Sequence, residues 1–198
     1  SLNTYKLNQR NLKKDLIILI KGFLKKNISY DHLLRIACNK NLISISLRKR
    51  LKPNSKFYLQ LLNYKRVDPY LKNLKYKKML KQLNKYDPSR NDIALFSNNY
   101  LLETCTSNLL FINDNQIYSP SKNFYKGITY KYFSKKIKIK KKYISIKEID
   151  KYSEILLIGS GKGVASVFKI PSLNWTRKNK KIFVKLNKIY EKDLSQKK

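Results

Sequence analysis

The chain of 198 residues holds only five glycines, and four fall in two places: Gly127 alone, then Gly159, Gly161 and Gly163 within the run GSGKG. Gly127 stands in YKGITY directly ahead of a predicted helix, where a residue without Cβ leaves room for an anion at free backbone N–H groups. Thr129 adds a hydroxyl donor there. GSGKG follows a predicted strand, and small residues let its successive N–H groups converge on a phosphate. It is not a P-loop, because its spacing is short and no Ser or Thr follows the lysine. Taken singly, each feature reads equally as a turn, Gly127 as a cap and GSGKG as a flexible hairpin. Glu103 is the third feature. Acidic residues number only 12, and this one sits inside an apolar strand, where an unpaired carboxylate is costly. The bland alternative is a strand-edge Glu facing solvent. Cys38, Cys105 and the lone His32 make no zinc-type ligand set.

Several elements must position these groups. LKKDLIILIKGFLKK, within residues 11–26, repeats apolar side chains at helical spacing and predicts a helix that Asn27 and Ser29 end. LLRIAC (33–38), LISISL (42–47) and FYLQLL (57–62), separated by NKN and KPNS turn chemistry, predict three strands of one sheet. Residues 71–86 place Leu71, Leu74, Met79 and Leu83 near helical spacing and predict a second helix that stops at Asp87 and Pro88. DIALFS (92–97), LLETCTS (101–107), LLFIND (109–114) and QIYSP (116–120) predict a strand series with Asn-rich turns. A basic helix follows Gly127, then a strand at 154–159, an extended segment at 164–170 and a closing helix from about Lys180 to Lys192. The pattern is that of a mixed α/β, α+β-like sheet domain. KKIKIKKKY (135–143) reads as a biased segment within it.

With 42% hydrophobic and 12% aromatic residues the chain can bury a core sized for one domain, or for one and part of another. Its net charge of +33, from 45 basic against 12 acidic residues, would attract polyanions without specificity. Lysine far outnumbers arginine, however, and Asn, Ile, Leu and Tyr are also abundant, as in a codon-biased, solvated surface. No module for reading nucleic acid is visible, so no specific nucleic-acid partner is expected. The apolar run Leu16 to Ile20 is too short for a bilayer, and no membrane partner is expected either. The cysteine content suits a reducing compartment, the cytoplasm. Because the first residue is Ser, a native start and any targeting segment would lie upstream.

From Tyr70 onward, YLKNLKYKKML, ALFSNNYLLETCTSNLLFINDNQIYSP, YKGITY and EILLIGSGKGVASV follow in one order. In that order and spacing the chain resembles the class IV aminotransferases and aminodeoxychorismate lyases. The most specific part is ETCTSNLLF, then an exposed turn, an (S/T)P pair and GIT. LLRIACNKN and LISISL resemble the stretch that leads into the family's cofactor lysine, with Lys40 and Asn41 where the family usually shows an Arg-Gly pair. The resemblance implies a type IV pyridoxal 5'-phosphate fold. A C-terminal pseudo-barrel domain at 41–198 would follow a remnant of the N-terminal lobe at 1–40. The family's glycine-rich entry strand and gripping arginines have no counterpart before Tyr30, so a fragment or shortened member is expected.

Residue by residue, the resemblance makes Lys72 the amine that bonds the cofactor and shuttles protons. Lys75, Lys77 and Lys78 are near, and the choice rests on the LK-x-L match. Glu103 matches the carboxylate that binds the pyridine nitrogen and makes the ring an electron sink. Gly127, Ile128 and Thr129 match the phosphate loop, and Ser160 with Gly161 a second phosphate contact. Tyr125 stands where the family packs an apolar side chain on the ring. Asn108 matches an asparagine behind the cofactor, where a structural role is equally open. Lys40 stands at a substrate anion contact, Tyr130 replaces a common arginine after GIT, and Cys105 reads as packing.

Three functions follow from these residues. The first is a 4-amino-4-deoxychorismate lyase giving 4-aminobenzoate and pyruvate, expected to be a homodimer. The second is a branched-chain or D-amino-acid aminotransferase on the same scaffold. The third is a non-catalytic basic binding protein on a degenerate one.

Overall fold

A computed structural model of the chain describes residues 12–27, 32–39 and 41–195. It forms two compact units, Ser1–Arg50 and Leu51–Lys198. In the first, α1 (Leu12–Lys25) is amphipathic, with Leu12 buried and Ile17, Ile18, Leu19 and Leu24 exposed. Strands β1 (His32–Cys38) and β2 (Ile43–Lys49) pair antiparallel, from His32 opposite Lys49 to Cys38 opposite Ile43. Asn39 makes their turn, its Oδ1 accepting from the N–H groups of Asn41 and Leu42 at 2.8 Å each.

The second unit is built on ten strands. They are β3 (Phe57–Asn63), β4 (Asn91–Ser97), β5 (Tyr100–Thr104), β6 (Asn108–Asn113), β7 (Gln116–Pro120), β8 (Ile139–Lys142), β9 (Ile144–Ser145), β10 (Glu154–Gly159), β11 (Gly163–Ile170) and β12 (Trp175–Thr176). Their order is β8-β7-β6-β10-β11-β3-β4-β5-β9, with β12 on β11. The pairs β3 with β4, β3 with β11 and β7 with β8 run parallel, and the rest antiparallel. β5 also touches β6 and β7 without pairing to them, so the sheet curls around its core. Asn98 and Asn99, then Asp114 and Asn115, take positive φ at two-residue turns, the conformation that suits the twist of β-hairpins.

Alternation along the strands divides the core. Phe57, Leu59, Ala94, Phe111, Leu157 and Val167 pack on one face with Trp175, whose Nε1 donates to the Tyr152 carbonyl at 2.9 Å. Leu110, Ile112, Leu156, Ile158 and Val164 face the other way. They meet Phe133 of α3 (Ile128–Lys136) and Ile182 and Leu186 of α4 (Lys181–Ser195). A smaller cluster of Met79, Ile93 and Leu95 lies under α2 (Lys77–Leu83).

Two expected elements differ. β1 and β2 form their own two-stranded sheet, whereas β3 joins the large one. Phe57 and Leu59 of β3 are fully buried between two parallel-paired neighbours, which a third strand of a small hairpin could not provide. The helix expected from Leu71 begins only at Lys77. Ahead of it, Asn73 donates Nδ2 to the Val67 carbonyl at 3.0 Å and accepts from Lys75 N–H at 3.0 Å, diverting the backbone from helical pairing. The biased segment 135–143 supplies the end of α3 and all of β8.

Glu154 is fully buried on β10 and caps α4, accepting from the N–H groups of Ile182 at 2.8 Å and Phe183 at 2.9 Å. Glu154→Ala leaves two buried donors unmet, and denaturant unfolding should show a loss of about 2–3 kcal/mol. Glu154→Gln, which keeps an acceptor, should lose distinctly less.

Candidate active site

The carboxylate at the centre owes its direction to a slip in strand register. Between β4 and β5, Glu103 lies opposite Leu95 and Leu101 opposite Phe96, leaving Leu102 as an extra residue. Strict alternation would have set Glu103 beside Leu101 in the main core. The bulge turns it instead onto the side of Leu95, facing the irregular segment between β3 and α2.

That segment carries Arg66 and Lys72. Arg66 Nε lies 2.8 Å from Glu103 Oε1, both side chains nearly enclosed. The N–H points off the line to the oxygen, so the contact is chiefly an ion pair, and among the described residues no well-aligned donor meets Glu103 Oε1. The other oxygen accepts from Tyr125 N–H at 3.2 Å. Burial pushes the Glu103 carboxyl up to about 7, and the Arg66 charge, the Tyr125 N–H, a poorly aligned Arg66 hydrogen bond and the Lys72 charge hold it below what burial alone would give. Arg66 also donates to the Pro69 carbonyl at 3.2 Å, and Asn73 ties down Val67, so the loop reaching Lys72 is held at several points. Lys72 Nζ lies 5.5 Å from the centre of the Tyr125 ring. Tyr70 binds this loop to the next, its hydroxyl lying 3.3 Å from Asn123 Oδ1 and 3.2 Å from Asn123 N.

Asn108 is the clamp between these groups and the first glycine. Its Nδ2 donates to the Tyr125 carbonyl at 2.6 Å, and its Oδ1 accepts from Gly127 N–H at 3.1 Å. A Cβ on Gly127 would come within 3.1 Å of that same Oδ1, so the glycine is required by close approach. Gly127 N–H is therefore engaged by Asn108 in this structure. Ile128 and Thr129 open α3, and a helix leaves the N–H groups of its first residues without partners of its own. Ile128 is exposed and the Thr129 side chain buried. Tyr130 turns inward, its hydroxyl 3.1 Å from Ser119 Oγ and in contact with Lys141 Nζ.

The second glycine turn joins β10 to β11, with Gly159 opposite Gly163. A Cβ on Gly159 would meet Ser107 Oγ at 3.0 Å, and Gly163 has φ of +66° with Tyr190 3.0 Å from where a Cβ would stand. Ser160 and Gly161 lie between these fixed ends, Ser160 exposed. The structure thus gathers Lys72, Glu103 and Tyr125 about one point. It joins Asn108, Gly127, Ile128 and Thr129 to them through the Asn108 clamp, with the Ser160–Gly161 turn packed on the Ser107 end of the same hairpin. Lys40 lies outside the described residues.

Sequence reasoning passed over Arg66, Asp92 and Lys162. Asp92, like Glu103, is an acidic residue in an apolar strand of an acid-poor chain, and the same argument would have singled it out. Nothing local distinguishes Lys162 among so many lysines.

The fold is that of class IV aminotransferases and aminodeoxychorismate lyases. The chain is similar to a provisionally assigned 4-amino-4-deoxychorismate lyase of Legionella pneumophila (TM-score 0.64, 20% identity, 76% of this chain and 61% of that one). It is similar also to a provisionally assigned branched-chain amino acid aminotransferase of Thermotoga maritima (TM-score 0.69, 16% identity, 87% and 69%). A third likeness is to a hypothetical aminotransferase of Mycobacterium tuberculosis solved in a PLP-bound form (TM-score 0.55, 16% identity, 67% and 54%). The chain thus spans about three fifths of the Legionella protein's length. No curated protein matches the chain. The family model for amino-transferase class IV matches residues 1–170, and the chain belongs to that family. No described helix is long and apolar enough to cross a membrane.

Glu103 gives a pH signature. Its folded-state value of about 7 exceeds its ordinary 4.5, so between these the folded protein holds a proton that the unfolded chain releases. That contribution is full below about pH 4.5 and is lost as pH rises through about 7. Protein free of bound small molecules should therefore lose stability across this window. Glu103→Gln should flatten that slope in denaturant titrations at a series of pH values.

Proposed function

We propose that this chain is the pyridoxal 5'-phosphate-binding part of an enzyme that cleaves 4-amino-4-deoxychorismate to 4-aminobenzoate and pyruvate. One observation carries the cofactor: Glu103 is a buried carboxylate whose Oε1 meets Arg66 only in an ill-aligned ion pair, and the Lys72 charge and the Tyr125 N–H both act on the same carboxyl group. A protonated ring nitrogen would supply a well-aligned donor, and a carboxylate beside it would keep that proton in place. The Arg66 charge favours the ionised form of Glu103 against its burial. When bound, pyridoxal phosphate supplies an electron sink for the carbon next to the substrate amine.

The remaining work belongs to the protein. Lys72 Nζ would hold the cofactor through its aldehyde and serve as the base and acid that moves the proton of the substrate carbon. Tyr125, whose ring lies 5.5 Å from Lys72 Nζ, would pack against the cofactor ring. The N–H groups of Ile128 and Thr129 and the Ser160–Gly161 turn would hold the phosphate, and Asn108 ties Tyr125 to Gly127. Lys40 and any residues of a fuller N-terminal lobe would meet the substrate carboxylates. A homodimer in the cytoplasm belongs to the same reading, as does the division of the chain into an N-terminal remnant (1–40) and a cofactor domain (41–198).

The LK-x-L context of Lys72 and the ETC run at Glu103 favour the lyase over a branched-chain or D-amino-acid aminotransferase. Purified protein given pyridoxal phosphate should develop the visible absorbance of a lysine-bound cofactor, and Lys72→Ala should abolish it. A band that survives the substitution removes Lys72 from the role. Absence of any band in the unaltered protein points to a non-catalytic basic binding protein. Aminodeoxychorismate should yield pyruvate without an oxo-acid acceptor, and turnover that requires the acceptor makes the enzyme an aminotransferase.

A further inference from the structure

Asp92, on β4, is the most deeply buried acid beside the candidate site, with no exposed surface. It accepts from Ile93 N–H at 2.8 Å, from Thr104 Oγ1 at 2.9 Å and from Thr106 Oγ1. Its cation comes from the glycine turn. Lys162 Nζ lies 3.5 Å from Asp92 Oδ2 and donates to Thr106 Oγ1 at 3.0 Å. In a chain whose lysines mostly point to water, this side chain keeps only 11% of its surface exposed. So long a side chain is folded inward only where the gain exceeds the rotamer freedom it gives up.

The two arms of this carboxylate lead to different turns. On one side, Thr104 and Thr106 stitch the 104–107 turn. Thr104 Oγ1 accepts from Ser107 N–H at 2.8 Å and Thr106 N–H at 3.2 Å, and Thr104 N–H reaches the Ser107 carbonyl at 2.9 Å. Asn108 follows at once and sets Tyr125 and Gly127. On the other side, Lys162 carries the Ser160–Gly161 turn, whose ends rest on Ser107 and Tyr190.

We infer that Lys162 is a positioning residue, a latch that ties the Ser160–Gly161 turn through Asp92 to the hairpin carrying Asn108 and so fixes the spacing between the two phosphate-gripping loops. Its ammonium is committed to Asp92 and Thr106. It therefore acts on the phosphate through the backbone it anchors. The inference rests on the pyridoxal-phosphate reading.

Lys162→Met keeps the stem and removes the charge. Titration of that variant with pyridoxal phosphate should show affinity weakened by about 10-fold or more, as expected for a lost charged contact. Binding of pyridoxal, which lacks the phosphate, should be unchanged, and Lys162→Arg should recover part of the loss. Amide hydrogen exchange at residues 160–163 should quicken in Lys162→Met while β6 and β10 stay protected. Unchanged affinity for pyridoxal phosphate, or an equal loss for pyridoxal, overturns the latch. If the unaltered protein takes up neither compound, the cofactor reading itself falls. Amide exchange then decides the latch alone, and unaltered exchange in Lys162→Met rejects it.

Discussion

A carboxylate taken out of water must be met by donors or by a cation, since the loss of hydration otherwise exceeds what folding can offset. Among the described residues three are buried, Asp92, Glu103 and Glu154, in a chain with only 12 acidic residues in all. Each is met in a different way, and the second unit is organised around those answers. Glu154 takes the first N–H groups of α4 and docks that helix on β10 and β11. Asp92 takes two threonine hydroxyls and Lys162, joining the 104–107 turn to the β10–β11 turn. Glu103 is met only in part, by the Tyr125 N–H and an ill-aligned Arg66, and it is this incompleteness that marks the site.

The contrast between Asp92 and Glu103 separates scaffold from site. Asp92 is saturated by hydroxyl, backbone and ammonium donors. Glu103 keeps one oxygen without a well-aligned hydrogen-bond donor, and its pKa is displaced upward to about 7. A purely structural carboxylate would be expected to find its full set of partners, whereas one reserved for a ligand keeps a place open. The bulge at Leu102 belongs to the same design, because it moves the charge out of the main core to where the Lys72 loop can reach it.

Within a chain of net charge +33, single lysines hold particular positions. Lysines near the site are used individually: Lys162 beneath the turn, Lys141 against Tyr130 and Phe124, Lys72 beside Tyr125. After GIT the Tyr130 hydroxyl points inward to Ser119, and Lys141 of β8 brings a cation to it.

Much was legible from residue types alone. Short apolar runs and Asn-rich turns mark the strands from residue 91 to 120, because strands covered on both faces read as nearly continuous apolar runs and tight hairpins need positive φ. Scarcity marked Gly127, the GSGKG turn and Glu103, since a rare residue in a costly place has few reasons to be there. The helix expected at 71–86 shrank because Asn73 offers the backbone a competing side-chain partner, and the one-sheet reading of the first three strands failed because pairing depends on distant neighbours. Whereas Lys72 was picked out by its LK-x-L context, the places of Lys162 and Arg66 could not be read locally. The ammonium of Lys162 gains its meaning from a carboxylate 70 positions away, and Arg66 from one 37 away, and only the folded chain brings such charges into a space dry enough for a single contact to count.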